Sequence, residues 1–178
     1  MKPKLRNWAI CALLPFWLGS ALAGESKSWI TYRNESGNFS VLMPSEPQDI
    51  QSETKPITHT LVAVEDGVAY TVVYAFAEPE QHVDEANFQQ FYEGVLRSLP
   101  NCTVLTEAAA APPVHDYIGH WYRMDCTAQQ GMKISLLGNL YWGKHYSYAV
   151  ITMFPTGQSD PPDSKRFSQS FTLLNPTK

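Results

Sequence analysis

Histidines, cysteines and paired carboxylates are the residues of this chain whose types could do chemistry. His115, His120 and His145, with Asp116 or Asp125, supply the donor types that a zinc site takes. Such a site needs neutral imidazoles, each oriented by an acceptor on its other ring nitrogen. His115 and His120 are five positions apart, so neither a helical i, i+4 pair nor an H-E-x-x-H motif exists, and these read as surface or hairpin histidines. A serine nucleophile would sit in a G-x-S-x-G elbow and a phosphate site in a glycine-rich loop; the sequence has neither. Asp84-Glu85 reads as helix capping, and Glu78/Glu80 and Asp160/Asp163 as solvated loop. Cys102 and Cys126 lack the C-x-x-C spacing of a redox pair. The sequence therefore designates no catalytic residue, no metal-ligand set and no cofactor.

Aromatic side chains are the stronger functional signal. Tyr117, Trp121, Tyr122, Tyr141, Trp142, Tyr146 and Tyr148 fall within one stretch. Cross-strand packing of such rings contributes roughly 0.2–1 kcal/mol per pair. Exposed, the same residue types favour interfaces. Trp142, beside Gly143, is the ring least easily buried, so Trp142 with Tyr141 or Trp121 is the candidate contact surface.

The elements that must position these residues can be read from periodicity. Residues 29–32 and 39–43 form short strands, Pro44 ends the second, and residues 45–56 read as an exposed loop. Two β-rich runs, 57–65 and 68–77, flank Asp66-Gly67, a strong type I′ hairpin signal. Tyr70, Val72, Tyr74 and Phe76 share one face of the second run, and neither face is strongly charged, so this strand is expected to be central and covered on both sides. Asp84 caps a helix whose stripe is Phe88, Phe91, Tyr92, Val95, Leu96 and Leu99, and Pro100 stops it. Strands follow at 103–106, 117–126, 132–142 and 145–154, the last two meeting at Gly143-Lys144 in an expected type II′ turn. A short helix from Asp163 or Ser164 to Phe171 closes the chain. This order fits an α+β fold, an antiparallel β-sheet flanked by helices.

The first 23 residues give the address. Lys2, Lys4 and Arg6 precede an apolar run from Trp8 to Leu18, and Ala21-Leu22-Ala23 closes it, which is the layout of a signal peptide cleaved between Ala23 and Gly24. The run is shorter than the roughly 20 residues a bilayer needs, so no membrane span is expected after cleavage. Removing residues 1–23 from the 178 leaves 155 residues (24–178), one domain by length. The 13 basic residues fall to 10 against 17 acidic ones, a net charge of −7, which excludes nucleic acid as a natural partner. Of three cysteines, Cys11 leaves with the signal; Cys102 and Cys126 in an oxidising compartment suggest one disulfide, the alternative being two buried thiols.

Three motifs carry a resemblance. Phe39-Ser40-Val41-Leu42-Met43-Pro44 is similar to an F-x-V-x-x-P opening strand, Tyr70-Thr71-Val72-Val73-Tyr74 leads to Pro79 and the helix, and Phe167-Ser168-Gln169-Ser170-Phe171 is similar to a closing F-x-x-S-F. In this order they resemble the PsbP-like α/β/α sandwich family, which includes many small exported bacterial proteins. The resemblance implies helices on both faces of the sheet and a non-catalytic tendency, and it carries no active site to transfer. The hairpin around Gly143 and the cysteine pair depart from the family pattern. The expected function is an exported, non-catalytic binding or accessory domain with a protein partner in the cell envelope, periplasmic or secreted. A ligand- or glycan-binding module using the aromatic patch is the alternative, and a secreted enzyme a further one.

Overall fold

A computed structural model describes residues 28–53, 56–77, 80–99, 101–108, 111–127 and 131–175. The expected signal peptide and its Ala23–Gly24 cleavage site lie outside the described residues. Ten strands and two helices are seen among the described residues: β1 (Ile30–Asn34), β2 (Phe39–Met43), β3 (Gln48–Gln51), β4 (Thr58–Glu65), β5 (Val68–Phe76), α1 (Glu85–Ser98), β6 (Cys102–Ala108), β7 (Ile118–Thr127), β8 (Lys133–Trp142), β9 (Tyr146–Pro155), α2 (Asp163–Gln169) and β10 (Thr172–Leu173).

The strands form two antiparallel sheets. The larger runs β3-β4-β5-β9-β8-β7-β6 and the smaller β1-β2-β10. Strands hold 51% of the described residues, so the fold is mostly β, a sandwich of two sheets, and the helix-flanked α+β, α/β/α arrangement expected from the sequence is corrected. The physical reason lies in what covers each face. On one face of the large sheet, Phe39, Val41 and Met43 of β2 meet Leu61, Val72, Tyr74, Tyr148 and Val150, with Phe167 and Phe171 completing the layer. A second sheet thus does the covering expected of a helix, and α2, seven residues long, only assists it. On the opposite face Phe88, Phe91, Tyr92 and Val95 of α1 pack on Val73, Leu136, Leu140, Ala149 and Ile151.

Local signals translate directly into local structure. Asp66 and Gly67 both take positive φ, 49° and 76°, as a type I′ turn requires. The Asp84 carboxylate accepts a hydrogen bond from the Asn87 N–H at 2.7 Å, capping α1. β5 lies between β4 and β9 and is buried on both faces, as its two apolar faces predict.

Three features differ from expectation. The polar stretch read as loop contains β3, paired to β4 from Gln48↔Val62 to Gln51↔His59. The chain adds β10 after α2, pairing Thr172 with Ser40. The β8–β9 connection spans residues 143–145, and Gly143 is not among the positive-φ glycines, so it is not a type II′ turn.

Cys102 and Cys126 face each other across β6 and β7 and are joined in a disulfide, with Cα atoms 4.0 Å apart. The bond ties the edge strand β6 to its only neighbour in the sheet. Replacing both cysteines by serine should cost about 3 kcal/mol, from the 24-residue separation of the bridged positions. Urea unfolding of the double variant beside the parent measures this; equal midpoints would show that the bond adds no stability.

Candidate functional site

The proposed contact residues are placed by the pleat of β8. Tyr141 and Trp142 are consecutive, so they point to opposite faces of the sheet, and both are buried, at 1% and 6% exposure. Trp142 faces α1, its ring centroid 5.0 Å from that of Phe91, and its indole N–H donates to the His82 carbonyl at 3.1 Å. Tyr141 lies on the other side, stacked on Phe171 at 5.6 Å. Trp121 is half-buried on the Tyr141 side, opposite Asn139. The three rings therefore do not form an exposed surface, and that expectation is corrected: Trp142 escapes solvent because α1 supplies a ring, Phe91, and the segment before α1 a backbone acceptor, the His82 carbonyl.

The histidines engage separate carboxylates. His120 reaches Glu85 at 3.1 Å and packs on Phe88, with ring centroids 4.2 Å apart. His145 meets Glu80 at 3.6 Å, His59 meets Asp49 at 3.1 Å, and His82 meets Asp84 at 3.4 Å. His115 sits in the turn before β7 with φ of 35°. Asp125 accepts a hydrogen bond from Ser135, and Asp160 pairs with Arg123. Among the described residues no three such side chains converge to hold a metal ion.

What the topology does bring together are two rows of side chains crossing the large sheet on its sandwich face. The inner row is His59–Tyr74–Tyr148–Tyr141–Gly119, each directly opposite the next. His59 stacks on Tyr74 at 4.7 Å with the rings within 7° of parallel. The Tyr148 hydroxyl donates to the Gly37 carbonyl at 2.8 Å, and Phe39 covers Tyr74 and Tyr148 edge-on. Burial keeps the phenols of this row neutral. It raises the Tyr74 phenol to about 12, with nearby Asp49 adding to the rise, and pushes Tyr141 and Tyr148 up as well.

The outer row lies at the end of the sheet. Phe76 pairs with Tyr146, and the flanking register continues the row to Ile57 on one side and to Gly143 and Tyr117 on the other. Phe76 meets Tyr146 edge-on at 5.1 Å and lies parallel to the His145 ring at 6.3 Å. The small sheet covers this row only in part. The Tyr146 hydroxyl donates to the Ser36 carbonyl of the β1–β2 turn, whereas Phe76 and Ile57 remain 45% and 50% exposed. A glycine sits in each row for the same reason. A Cβ at Gly143 would fall within the Tyr117 ring, and one at Gly119 would lie 2.6 Å from the Tyr141 ring.

On the α1 face Val95, Leu99, Met124, Leu136, Leu140 and Ile151 line a shallow, solvent-open apolar cleft of about 20 Å³. It has room for little more than a water-sized group and offers little to orient a polar substrate. The outer row is different in kind, because it sets exposed aromatic surface beside ionised groups, with Glu80 bonded to Lys144 at 2.9 Å.

Sequence reasoning missed Phe76 and Ile57 because they lie outside the aromatic-rich stretch. The signal that could have found them is the position of each at the open end of a strand.

Two outcomes test this geometry. Gly143→Ala should destabilise the protein by about 1–3 kcal/mol, the usual cost of overpacking, and adding Tyr117→Ala should recover much of that loss; additive losses in thermal melts would show that the two sites are not in contact. Alkali should act through the phenols. The unfolded chain ionises its tyrosines near pH 10, while Tyr70, Tyr74 and Tyr117 resist to about 12, so stability should hold to about pH 10 and fall as pH rises toward 12. Melting temperature and tyrosinate absorbance followed together measure this; free ionisation of all tyrosines near pH 10 without unfolding would contradict it. No family model matches the chain, and no curated protein matches it in sequence.

Proposed function

We propose that this chain is an exported, non-catalytic binding domain that engages a protein partner in the cell envelope, periplasmic or secreted, and that the outer row around Phe76 is its docking surface. The observation that carries this reading is the half-exposed pair Ile57 and Phe76, set side by side at the open end of an otherwise covered sheet face. Adjacent exposed apolar side chains that continue a buried aromatic row, unlike the single exposed Val64, Leu105 and Met132, are the kind of contiguous surface that marks interaction sites. Tyr146 beside them, and the small sheet behind it, give the surface a rigid backing, which lowers the entropic cost of binding. The disulfide is compatible with an oxidising compartment, in keeping with the signal-like leader that ends at Ala23-Gly24.

A second reading, a glycan- or small-ligand-binding module, draws on the same exposed ring of Phe76, since aromatic faces also serve such sites.

Site-specific photocrosslinking tests the proposal in cells. p-Benzoylphenylalanine in place of Phe76 should yield a discrete protein adduct, and the same group in place of Leu105, equally exposed on the distant edge strand β6, should not. Absence of an adduct at position 76, or the same adducts at both positions, would sink the protein-docking reading.

A further inference from the structure

The disulfide holds a strand that little else holds. Among the described side chains of β6, Cys102 and Val104 are half-buried and Thr103, Leu105 and Thr106 are exposed, so none is fully out of water. The ladder to β7 breaks register between Val104 and Thr106, and β7 is the only strand with which β6 pairs. β7 is anchored differently. It pairs with β8 without a break from Ile118↔Trp142 to Thr127↔Lys133, and its Tyr122, Met124 and Cys126 are buried in the layer beneath α1. The Tyr122 ring stacks on Tyr92 of α1 at 4.5 Å. β6 thus owes its place to an interrupted ladder, two half-buried side chains and one covalent bond, and β7 has independent support. Strands with so little buried apolar surface lie at the low end of local stability. The two ends of the bond differ as well: Cys126 belongs to the core, whereas Cys102 is half-buried on the open edge of the sheet.

We propose that the Cys102–Cys126 bond is a redox latch on the edge of the large sheet, opened by a dithiol reductant, and that its reduction lets β6 leave while the rest of the sheet stays folded. The reductant's thiolate attacks Sγ of Cys102, the sulfur on the open edge. The bond between the two protein sulfurs breaks, and Cys126 departs as a thiolate that takes up a proton. The reductant's second thiol then attacks the mixed disulfide, which frees Cys102 as a thiol and closes a disulfide within the reductant, so the two electrons gained by the protein come from that dithiol. Without the bond β6 has only its interrupted ladder and two partly covered side chains to hold it. Its departure makes β7 the edge of the sheet, a run of ten residues from Ile118 to Thr127 with no register break toward β8. Reduction thereby turns a blunted edge into an open one, able to pair with an extended chain.

The test compares amide hydrogen exchange of the oxidised protein with that of the protein reduced by dithiothreitol in the absence of denaturant. A bond that only constrains the unfolded chain speeds exchange of all the slowest amides by one common factor. A latch should do more: the β6 amides bonded to β7 should speed up by about tenfold or more beyond the change seen in β8 and β9. Iodoacetamide should then alkylate both thiols of the reduced, still folded protein. The Cys102→Ser/Cys126→Ser variant should show the same exchange pattern with no reductant present, which separates the loss of the bond from any other effect of the thiol. A bond that resists dithiothreitol until urea unfolds the protein, a uniform change in exchange across the sheet, or unfolding of the whole domain on reduction would each overturn the proposal.

Discussion

An antiparallel sheet can leave one face wet, but the large sheet of this chain carries apolar side chains on both, so both must be covered. Everything else in this molecule follows from how those faces are covered. α1 covers one with a stripe of rings and a valine. The other is covered by the small sheet, whose β2 inserts Phe39, Val41 and Met43 over the tyrosines of β5 and β9. A three-stranded sheet is narrower than a seven-stranded one, so coverage must run out somewhere. It runs out at the row of Ile57 and Phe76, where the strands end, and that is where half-exposed aromatic surface appears. The candidate site is thus a consequence of sheet geometry.

Elements specified by neighbouring residues were legible in the sequence. The Asp66-Gly67 hairpin needs only two residues willing to take positive φ, and the α1 stripe needs only a period and a cap. Elements specified by distant partners were not. β3 is Gln48-Asp49-Ile50-Gln51, polar enough to read as loop, and it becomes a strand only because β4 offers a free edge. β10 exists because α2 delivers Thr172 beside Ser40. Fold class failed for a related reason. An apolar strand face announces that something must cover it, but its pattern is the same whether the cover is a helix or a second sheet. The motifs that suggested a family resemblance illustrate this: Phe39, Val41, Met43, Phe167 and Phe171 are all core residues, and they encode packing rather than a site.

The candidate site was half legible. Composition located an aromatic concentration, and period two correctly separates Tyr141 from Trp142, but exposure depends on layers that the strand sequence does not contain. Trp142 looked difficult to bury because it precedes a glycine. That glycine serves instead to let the Tyr117 ring lean over the backbone, a close approach rather than a turn, and the two uses of glycine are indistinguishable in sequence. The cysteine pair was legible because only Cys102 and Cys126 lie outside the expected signal segment, and the register then places Cys102 directly opposite Cys126.

The sheet edges add a last constraint on where a partner could dock. An open edge strand invites pairing with any extended chain, and both edges of the large sheet are blunted. β3 is four residues long and mostly polar, while β6 carries a register break between Val104 and Thr106 that turns Leu105 outward, and the disulfide fixes it to β7. Strand addition is disfavoured at both edges by these devices. Recognition by side chains at the open end of the sandwich face escapes these devices, because it needs no unpaired backbone.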